Sequence, residues 1–421
     1  MRLCAFWLAG VHAAKIAAVV NTTMSLKQRV GDALNLVAGE AARMQTIESK
    51  LKGIYTILDV NTIAREAEKE KSQFVAVFDG GSTGTRLNLY QFDTKGLSLK
   101  NHMLWNTSPG IQEVKSPAAV IKDLLEKGRA FLEEHGGSTD YKFPVVFNGT
   151  AGLRLLEERK RASILAEVKK TLANEISNPD VEARVIDGKE EGFYAWAALV
   201  FVTQQKEKIG IIDLGGGSAQ ISFEIDNDLK GGEDGVVHGK TKSVLSRSLL
   251  GMGLVSGMES IRKEDTKQVC VWQSVNFDVA LCKAHIKNTL GAMILERTNG
   301  KEVAPGISQT STIFVSSFIS EILQMMKTPE HTKFQDIKSL VDTVCTNRSA
   351  TPVMPAGQNS TLLSNPKPTQ NYPNRPNCIN VLYAVMFMES LGVGLFTPIK
   401  NAAAIPTDIS WSLGRALSLI E

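Results

Sequence analysis

Two segments of this chain share one construction: FVAVFDGGSTGTRLNLYQF around Asp79 and IGIIDLGGGSAQISFEI around Asp213. In each, an apolar run ends in an Asp, a turn of Gly, Ser and Thr follows at once, and a second strand leaves with alternating apolar and polar residues. Such a unit leaves backbone N–H groups unpaired at the turn, in a concavity that suits phosphate oxygens. One copy is a weak signal, because an ordinary hairpin turn reads much the same. Two copies facing each other would clamp a phosphate chain from both ends, and the two Asp side chains could share a hydrated divalent cation. The run Gly215, Gly216, Gly217 adds weight, since consecutive glycines are costly in a turn with no ligand to approach.

The recurrence predicts two lobes related by duplication, with the active site between them. A chain of 421 residues, 43% of them apolar, has the length for about two domains with large cores. Residues 1–73 read as an apolar segment followed by a helical leader, with apolar positions at Leu26, Val30, Leu34 and Val37 and the charged run REAEKEK at its end. Residues 74–208 read as the first lobe and 209–404 as the second. The C-terminal stretch, about 405–421, is an amphipathic helix expected to pack back on the first lobe. Within the first lobe the pattern predicts a helix from Ala118 to Glu134, a strand FPVVF, a helical run NGTAGLRLLEERKRASILAEVKKTL, a short strand ARVI and a helix GFYAWAALVFVTQQ. Alternating strands and helices place the chain in the α/β class. A Pro/Asn/Ser-rich stretch between Cys345 and Cys378, which includes Tyr372, reads as a flexible lip on the cleft.

Lys plus Arg, 47, nearly balances Asp plus Glu, 44, which argues against a nucleic-acid partner. None of the five cysteines forms a CxxC or a Cys/His cluster, so a zinc site is not expected. Cys4 lies in the apolar N-terminus. The remaining Cys270, Cys282, Cys345 and Cys378 allow three connectivities, of which sequential pairing closes the shortest loops. Sequons at Asn21, Asn106, Asn347 and Asn359 add to the expectation of a secretory-pathway protein carrying disulfides and glycans, in the endoplasmic reticulum or Golgi lumen or secreted. Leu3 to Val20 is apolar but interrupted by His12 and Lys15, so it reads as an atypical signal or N-terminal membrane anchor. No C-terminal membrane span is read. Base preference and oligomeric state leave no sequence signal.

Two more segments carry chemistry. Asn148-Gly149-Thr150-Ala151-Gly152-Leu153-Arg154 follows an apolar strand and opens a helix, where anions and catalytic groups gather. There Thr150 would donate to a phosphate, and Arg154 would brace the loop or the substrate. A glycan on Asn148 would lie in the cleft, so Asn148 is expected to be unmodified. Asp187-Gly188-Lys189-Glu190-Glu191-Gly192 sets carboxylates at a strand-to-helix junction, where the dipole holds them ionised, as suits a general base acting on water. Simple helix capping is the plainer reading of the same acids.

Taken in order, DGGSTGTR, NGTAGLRLL, DGKEEGFYAW and DLGGGSAQISF resemble four apyrase regions of the nucleoside triphosphate diphosphohydrolase family. CINVLYAVMFMESLGVGL and ISWSLGRAL resemble its C-terminal segments, and STGTR and DGKEEG look closest to the soluble nucleoside diphosphatase branch. The resemblance implies a two-lobed actin/Hsp70/hexokinase-like fold, each lobe on an RNase H-like sheet, with the active site in the interlobe cleft. It implies hydrolysis of nucleoside diphosphates such as UDP and GDP with Mg²⁺ or Ca²⁺. It also implies that Glu191 deprotonates the attacking water while Ser218 and Gln220 hold that water in line. Asp79 and Asp213 would order the metal's water shell, and Ser82, Thr83, Gly84, Thr85, Gly215, Gly216 and Gly217, with Thr150, would grip the phosphates. Phosphoryl transfer needs mainly positioning and charge stabilisation, which agrees with finding no covalent nucleophile.

The chain departs from the family's usual Ala at Gly80 and Gly217, its Thr at Ala219, and its Ala or Ser at Asn148; the first two changes are conservative for a phosphate turn, while Ala219 and Asn148 bear on rate or metal grip, and together they touch efficiency more than reaction type. The alternatives are a general apyrase that also takes triphosphates, an exopolyphosphatase, a sugar kinase-like transferase and a catalytically silent binding relative. The EGFYAW continuation favours nucleotides over polyphosphate, and Glu191, Ser218 and Gln220 together argue against a silent relative.

Overall fold

In the computed structural model the described residues are 25, 28, 29 and, from 72 to 420, all but 94–96, 177–180, 206, 226–232, 238–239, 272–274, 299–301, 306, 308–309, 330–331, 347–377 and 406–408. The expected leader and signal segment, Cys4, Tyr372 and the Pro-rich lip lie outside the described residues.

The chain is mixed α/β with two sheets. The first is built from β1 (Ser72–Gly80), β2 (Thr85–Asp93) and β3 (Ser98–Thr107), then helix α1 (Pro117–Glu134), β4 (Val145–Gly149), α2 (Ala151–Arg154), α3 (Glu158–Glu175), β5 (Glu182–Val185) and α4 (Gly188–Thr203). The second is built from β6 (Ile209–Leu214), β7 (Ser218–Glu224), β8 (Glu233–Val237), β9 (Lys240–Leu250), α5 (Leu254–Glu264), α6 (Val279–Thr298), β10 (Thr312–Ser316), α7 (Ser317–Met325), β11 (Thr332–Lys333), α8 (Phe334–Thr346), α9 (Cys378–Ser390) and β12 (Pro398–Asn401). Helix α10 (Trp411–Leu417) closes the chain.

The first sheet has the order β3-β2-β1-β4-β5 and the second β11-β12-β10-β6-β7-β9-β8. Within the second, β9-β7-β6-β10-β12 repeats the first sheet strand for strand. Each has two antiparallel pairings followed by two parallel ones. The shared strand-turn-strand device is thus the first hairpin of each sheet, β1–β2 and β6–β7. The parallel neighbours β4 and β10 reach their places through helices, as parallel connections require.

Helix α4 carries apolar residues on every side, the pattern of a helix with no solvent face. It lies in a core shared with Val75 and Val77 of β1, Tyr90 and Phe92 of β2, and Ile209 and Ile211 of β6, so it packs against both sheets. Trp196 is fully buried there and donates from Nε1 to Ile209 O at 3.2 Å. Helix α10 packs on α4 and β1. A Cβ on Gly414 would stand 1.9 Å from Tyr194 O, so this crossing has room only for glycine. All seven residues of α10 are buried, so it is not the amphipathic helix its sequence suggests: two apolar surfaces cover it. The outer face of the first sheet packs on α1 and α3, and that of the second on α5 to α9.

Three other local features differ from expectation. The continuous helix from Asn148 is instead a strand end, the short α2, a break in which Glu157 is extended, and α3; no Gly or Pro marks the break. The helix expected at GFYAW starts four residues earlier, at Gly188. Strand β2 is buried on both faces, and two of its polar side chains are met by β3: Asn88 Oδ1 pairs with His102 Nε2 at 3.1 Å, and Gln91 Oε1 accepts from Asn101 Nδ2 at 2.7 Å, while Thr85 Oγ1 is buried without a partner among the described residues.

The cysteines pair sequentially, Cys270 with Cys282 and Cys345 with Cys378. Two disulfides fit an oxidising, secretory-pathway lumen. Among the described residues no helix is long and apolar enough to cross a membrane.

Candidate active site

Asp79 and Asp213 occupy corresponding positions at the ends of the central strands, just before the two Gly-rich turns. The turns meet. A Cβ on Gly216 would lie 2.7 Å from Ser82 Oγ and 2.9 Å from Thr83 Cγ2, and one on Gly217 would lie 3.0 Å from Ala151 Cβ.

In both turns several carbonyls are already engaged. Gly80 O accepts from Thr150 N at 3.1 Å, Ser82 O from Gln112 Nε2 at 2.7 Å, and Thr83 O from Ser108 Oγ at 3.3 Å. Across from them, Gly215 O accepts from Leu254 N at 2.8 Å, Gly216 O from Val255 N at 3.1 Å, and Gly217 O from Gly251 N at 2.8 Å. The N–H groups of Gly81 to Gly84, Gly216 and Gly217 find no partner among the described residues. Backbone donors gathered in a concavity while their carbonyls bond elsewhere form an anion nest.

A cavity of about 330 Å³ opens beside the turns. Asp79, Ser82, Thr83, Thr150, Glu191, Asp213, Gly215, Gly216, Gly217, Ser218 and Gln220 all line it. Gly84 and Thr85 do not: a Cβ on Gly84 would meet Thr107 O at 2.6 Å, and Thr85 is fully buried at the start of β2. Those two residues shape the first turn from behind.

The acidic segment divides its work. Asp187 caps α4, accepting from Lys189 N at 2.7 Å, while Glu190 accepts from Asp187 N at 3.1 Å and is held by Arg184 at 2.7 and 2.8 Å. With the helix end satisfied by these two, Glu191 turns into the cavity. Its Oε2 accepts from Arg154 Nη2 and, at 3.1 Å, from Gln220 Nε2. Gln220 Nε2 also donates to Ser218 Oγ at 2.8 Å and to Ser248 Oγ at 3.2 Å. Arg154 lies within 3.4 Å of both serine hydroxyls. The structure thus brings Glu191, Ser218, Gln220 and Arg154 into one network.

Burial dominates the electrostatics. It pushes the Glu191 carboxyl up to about 8, against the Arg154 guanidinium, with Asp213 and Asp79 adding to the rise. Burial likewise raises Asp79 despite its 3.0 Å pair with Arg86, and Asp213 despite the opposing Ser317 side chain and Arg86. Three carboxyls that resist ionisation in one cavity are a setting in which added positive charge is favourable.

Asp79 Oδ1 and Asp213 Oδ1 are both buried without a hydrogen-bond partner, and these atoms fit a cation's bound waters. No group of three or more His, Cys, Asp or Glu converges among the described residues, so a direct protein cage is not formed there. Two carboxylates acting through water match the habit of Mg²⁺, which dehydrates reluctantly.

Sequence reasoning missed three parts of this site. Arg86 stands inside a quoted motif, but its pairing with Asp79 depends on cross-strand register. Gln112 comes from the loop after β3 to hold the first turn, and Ser248 from near the C-terminal end of β9. Ordinary polar residues in loops and strands carry no signal of their own.

The chain matches the GDA1/CD39 (nucleoside phosphatase) family. The match covers residues 65–253, which hold both turns, Thr150, Arg154 and Glu191. Among its relatives, ectonucleoside triphosphate diphosphohydrolase 5 of Mus musculus is 36% identical over 162 residues, 35% of this chain and 37% of the relative. The chain therefore aligns with well under half the length of that protein. Ectonucleoside triphosphate diphosphohydrolase 6 of Homo sapiens is 23% identical over 380 residues, 82% of this chain and 76% of the relative. A crystal structure of nucleoside triphosphate hydrolases from Neospora caninum superposes with a TM-score of 0.53 at 15% identity, covering 87% of this chain and 96% of that one. At that identity the likeness is one of fold. The GDA1/CD39 match thus falls on the half of the chain from which most of the site is built.

Proposed function

We propose that the protein is a metal-dependent hydrolase that converts nucleoside diphosphates, UDP and GDP among them, to nucleoside monophosphate and phosphate. Its two lobes, 74–208 and 209–404, would form an actin/Hsp70/hexokinase-like fold with RNase H-like sheets and the active site in the cleft between them. The observation that carries the reading is the meeting of Glu191, Ser218 and Gln220 in a cavity walled by both Gly-rich turns.

The turns' free N–H groups, with Ser82, Thr83 and Thr150, would bind the terminal phosphate oxygens, and Gly84 and Thr85 would hold the first turn in shape. Gln220 and Ser218 would hold a water in line with the phosphorus. Glu191 Oε2 is occupied by Arg154 and Gln220, so Oε1 would take that water's proton. Mg²⁺ or Ca²⁺, ordered through water by Asp79 and Asp213, would neutralise charge on the phosphates. Arg154 would favour the ionised form of Glu191, the form able to act as a base. The two disulfides favour a luminal site of action, where nucleoside diphosphates are released by glycosyl transfer.

A general apyrase is the second reading, favoured by the likeness to ectonucleoside triphosphate diphosphohydrolase 6 over 82% of the chain. Phosphate release from UDP, GDP, ADP, UTP, ATP and polyphosphate, each with Mg²⁺, Ca²⁺ or chelator, tests both. We expect release from UDP and GDP that chelator abolishes. ATP cleaved as fast as UDP would move the assignment to a general apyrase, and activity on polyphosphate alone would refute both.

A further inference from the structure

Asn148 is fully buried, and neither its Nδ2 nor its Oδ1 finds a hydrogen-bond partner among the described residues. Leaving buried amide atoms unsatisfied is costly, so both atoms are under pressure to be met. The ladder shows what lies nearby. Asn148 of β4 pairs in parallel register with Asp79 of β1 on one side and with Arg184 of β5 on the other. In-register neighbours in a sheet stand about 4.8 Å apart and point to the same face.

Arg184 is spent on Glu182 and Glu190. Asp79 is half spent: Oδ2 accepts from Arg86 at 3.0 Å, while Oδ1 is buried and unpartnered. Two adjacent strands thus present three unmet polar atoms, and no direct bond joins them. That spacing and chemistry suit one buried water, which makes two to four hydrogen bonds and needs polar partners on several sides.

We infer that Asn148 is a positioning residue for Asp79, holding Asp79 Oδ1 through one buried water so that this oxygen is fixed for the hydrated cation. Nδ2 donates to the water, and the water donates to Oδ1 of Asp79. The carboxylate is then tethered at both oxygens, by Arg86 and by Asn148. Groups one shell out from a metal site commonly set its affinity. The inference rests on the proposed cation site but not on the proposed reaction.

The test is the binding of Mg²⁺ alone, followed by thermal shift and by isothermal titration without nucleotide, in the wild type, Asn148→Leu and Asn148→Ser. Asn148→Leu keeps the volume but cannot hold the water, and we expect Mg²⁺ affinity to fall about tenfold. Asn148→Ser keeps a hydroxyl and is expected to retain most of it. The stability in chelator, read beside the titration, separates a folding defect from a binding one, and Asn148→Ser provides the reading if the leucine variant does not fold. Mg²⁺ binding unchanged in both variants, or lost to the same extent in both, would overturn the inference, as would a wild type that binds no Mg²⁺. Failure of the proposed reaction reads differently: Mg²⁺ binds, and no nucleotide releases phosphate.

Discussion

Glu191 lines the cavity with its Oε2 fixed by Arg154 and Gln220, and its burial beside Arg154, Asp213 and Asp79 makes it sensitive to pH and to a neighbour's charge. Because burial raises its pKa from 4.5 to about 8, it is mostly protonated at neutral pH until positive charge lowers it. Activity is therefore expected to climb with pH as Glu191 ionises, along a limb at or below about 8, since a bound cation acts in the same direction as Arg154. Arg154→Met removes one lowering charge, so kcat/KM measured against pH should show that limb moved upward; an unmoved limb would separate Arg154 from the base. At this scale the motifs were legible: Asp79, Thr150, Glu191, Asp213, Ser218 and Gln220 all stand in quoted segments, and all line one cavity. The partners that hold them, Arg86, Gln112 and Ser248, were not, because their meaning comes from register and loop path.

At the scale of elements, local pattern found α1 and β4 closely, and missed what packing decides. The break between α2 and α3 has no sequence mark, and α10 reads as amphipathic until two apolar surfaces are laid against it. Helix α4 starts earlier than its apolar run because Asp187 and Glu190 cap it, a reading open to the sequence only as the plainer alternative to catalysis. The α4–α10 crossing is the tightest of these contacts. Gly414→Ala places a methyl against the Tyr194 backbone, and overpacking of this kind costs about 1–3 kcal/mol or more. A lower melting temperature should accompany the change, because the backbone of α4 cannot swing aside as a side chain can. Wild-type stability in that variant would mean the crossing is looser than described.

Over the whole molecule, the twin hairpins foretold a repeated architecture, and the same five-strand order does recur in both sheets. Composition could not foretell that two strands, β8 and β11, extend the second copy alone. Disulfide pairing was open among three connectivities until the structure brought Cys345 to Cys378 across a separation of 33 residues. A cross-link of that reach typically contributes about 2–4 kcal/mol by restricting the unfolded chain. Replacing both of these cysteines by serine should lower the urea midpoint accordingly, and should do so more than removing the Cys270–Cys282 pair, whose separation is 12. The opposite order would show that native-state effects outweigh loop length.

The proposed role of Glu191 is to activate water against a phosphate held by the two turns. Its most direct measurement is phosphate release from UDP with saturating Mg²⁺ by wild type and Glu191→Gln, with circular dichroism of both. Loss of a general base typically lowers the rate about 10²- to 10⁴-fold, and a loss of that size with an unchanged spectrum is the predicted result. Wild-type turnover by a folded Glu191→Gln protein would contradict it.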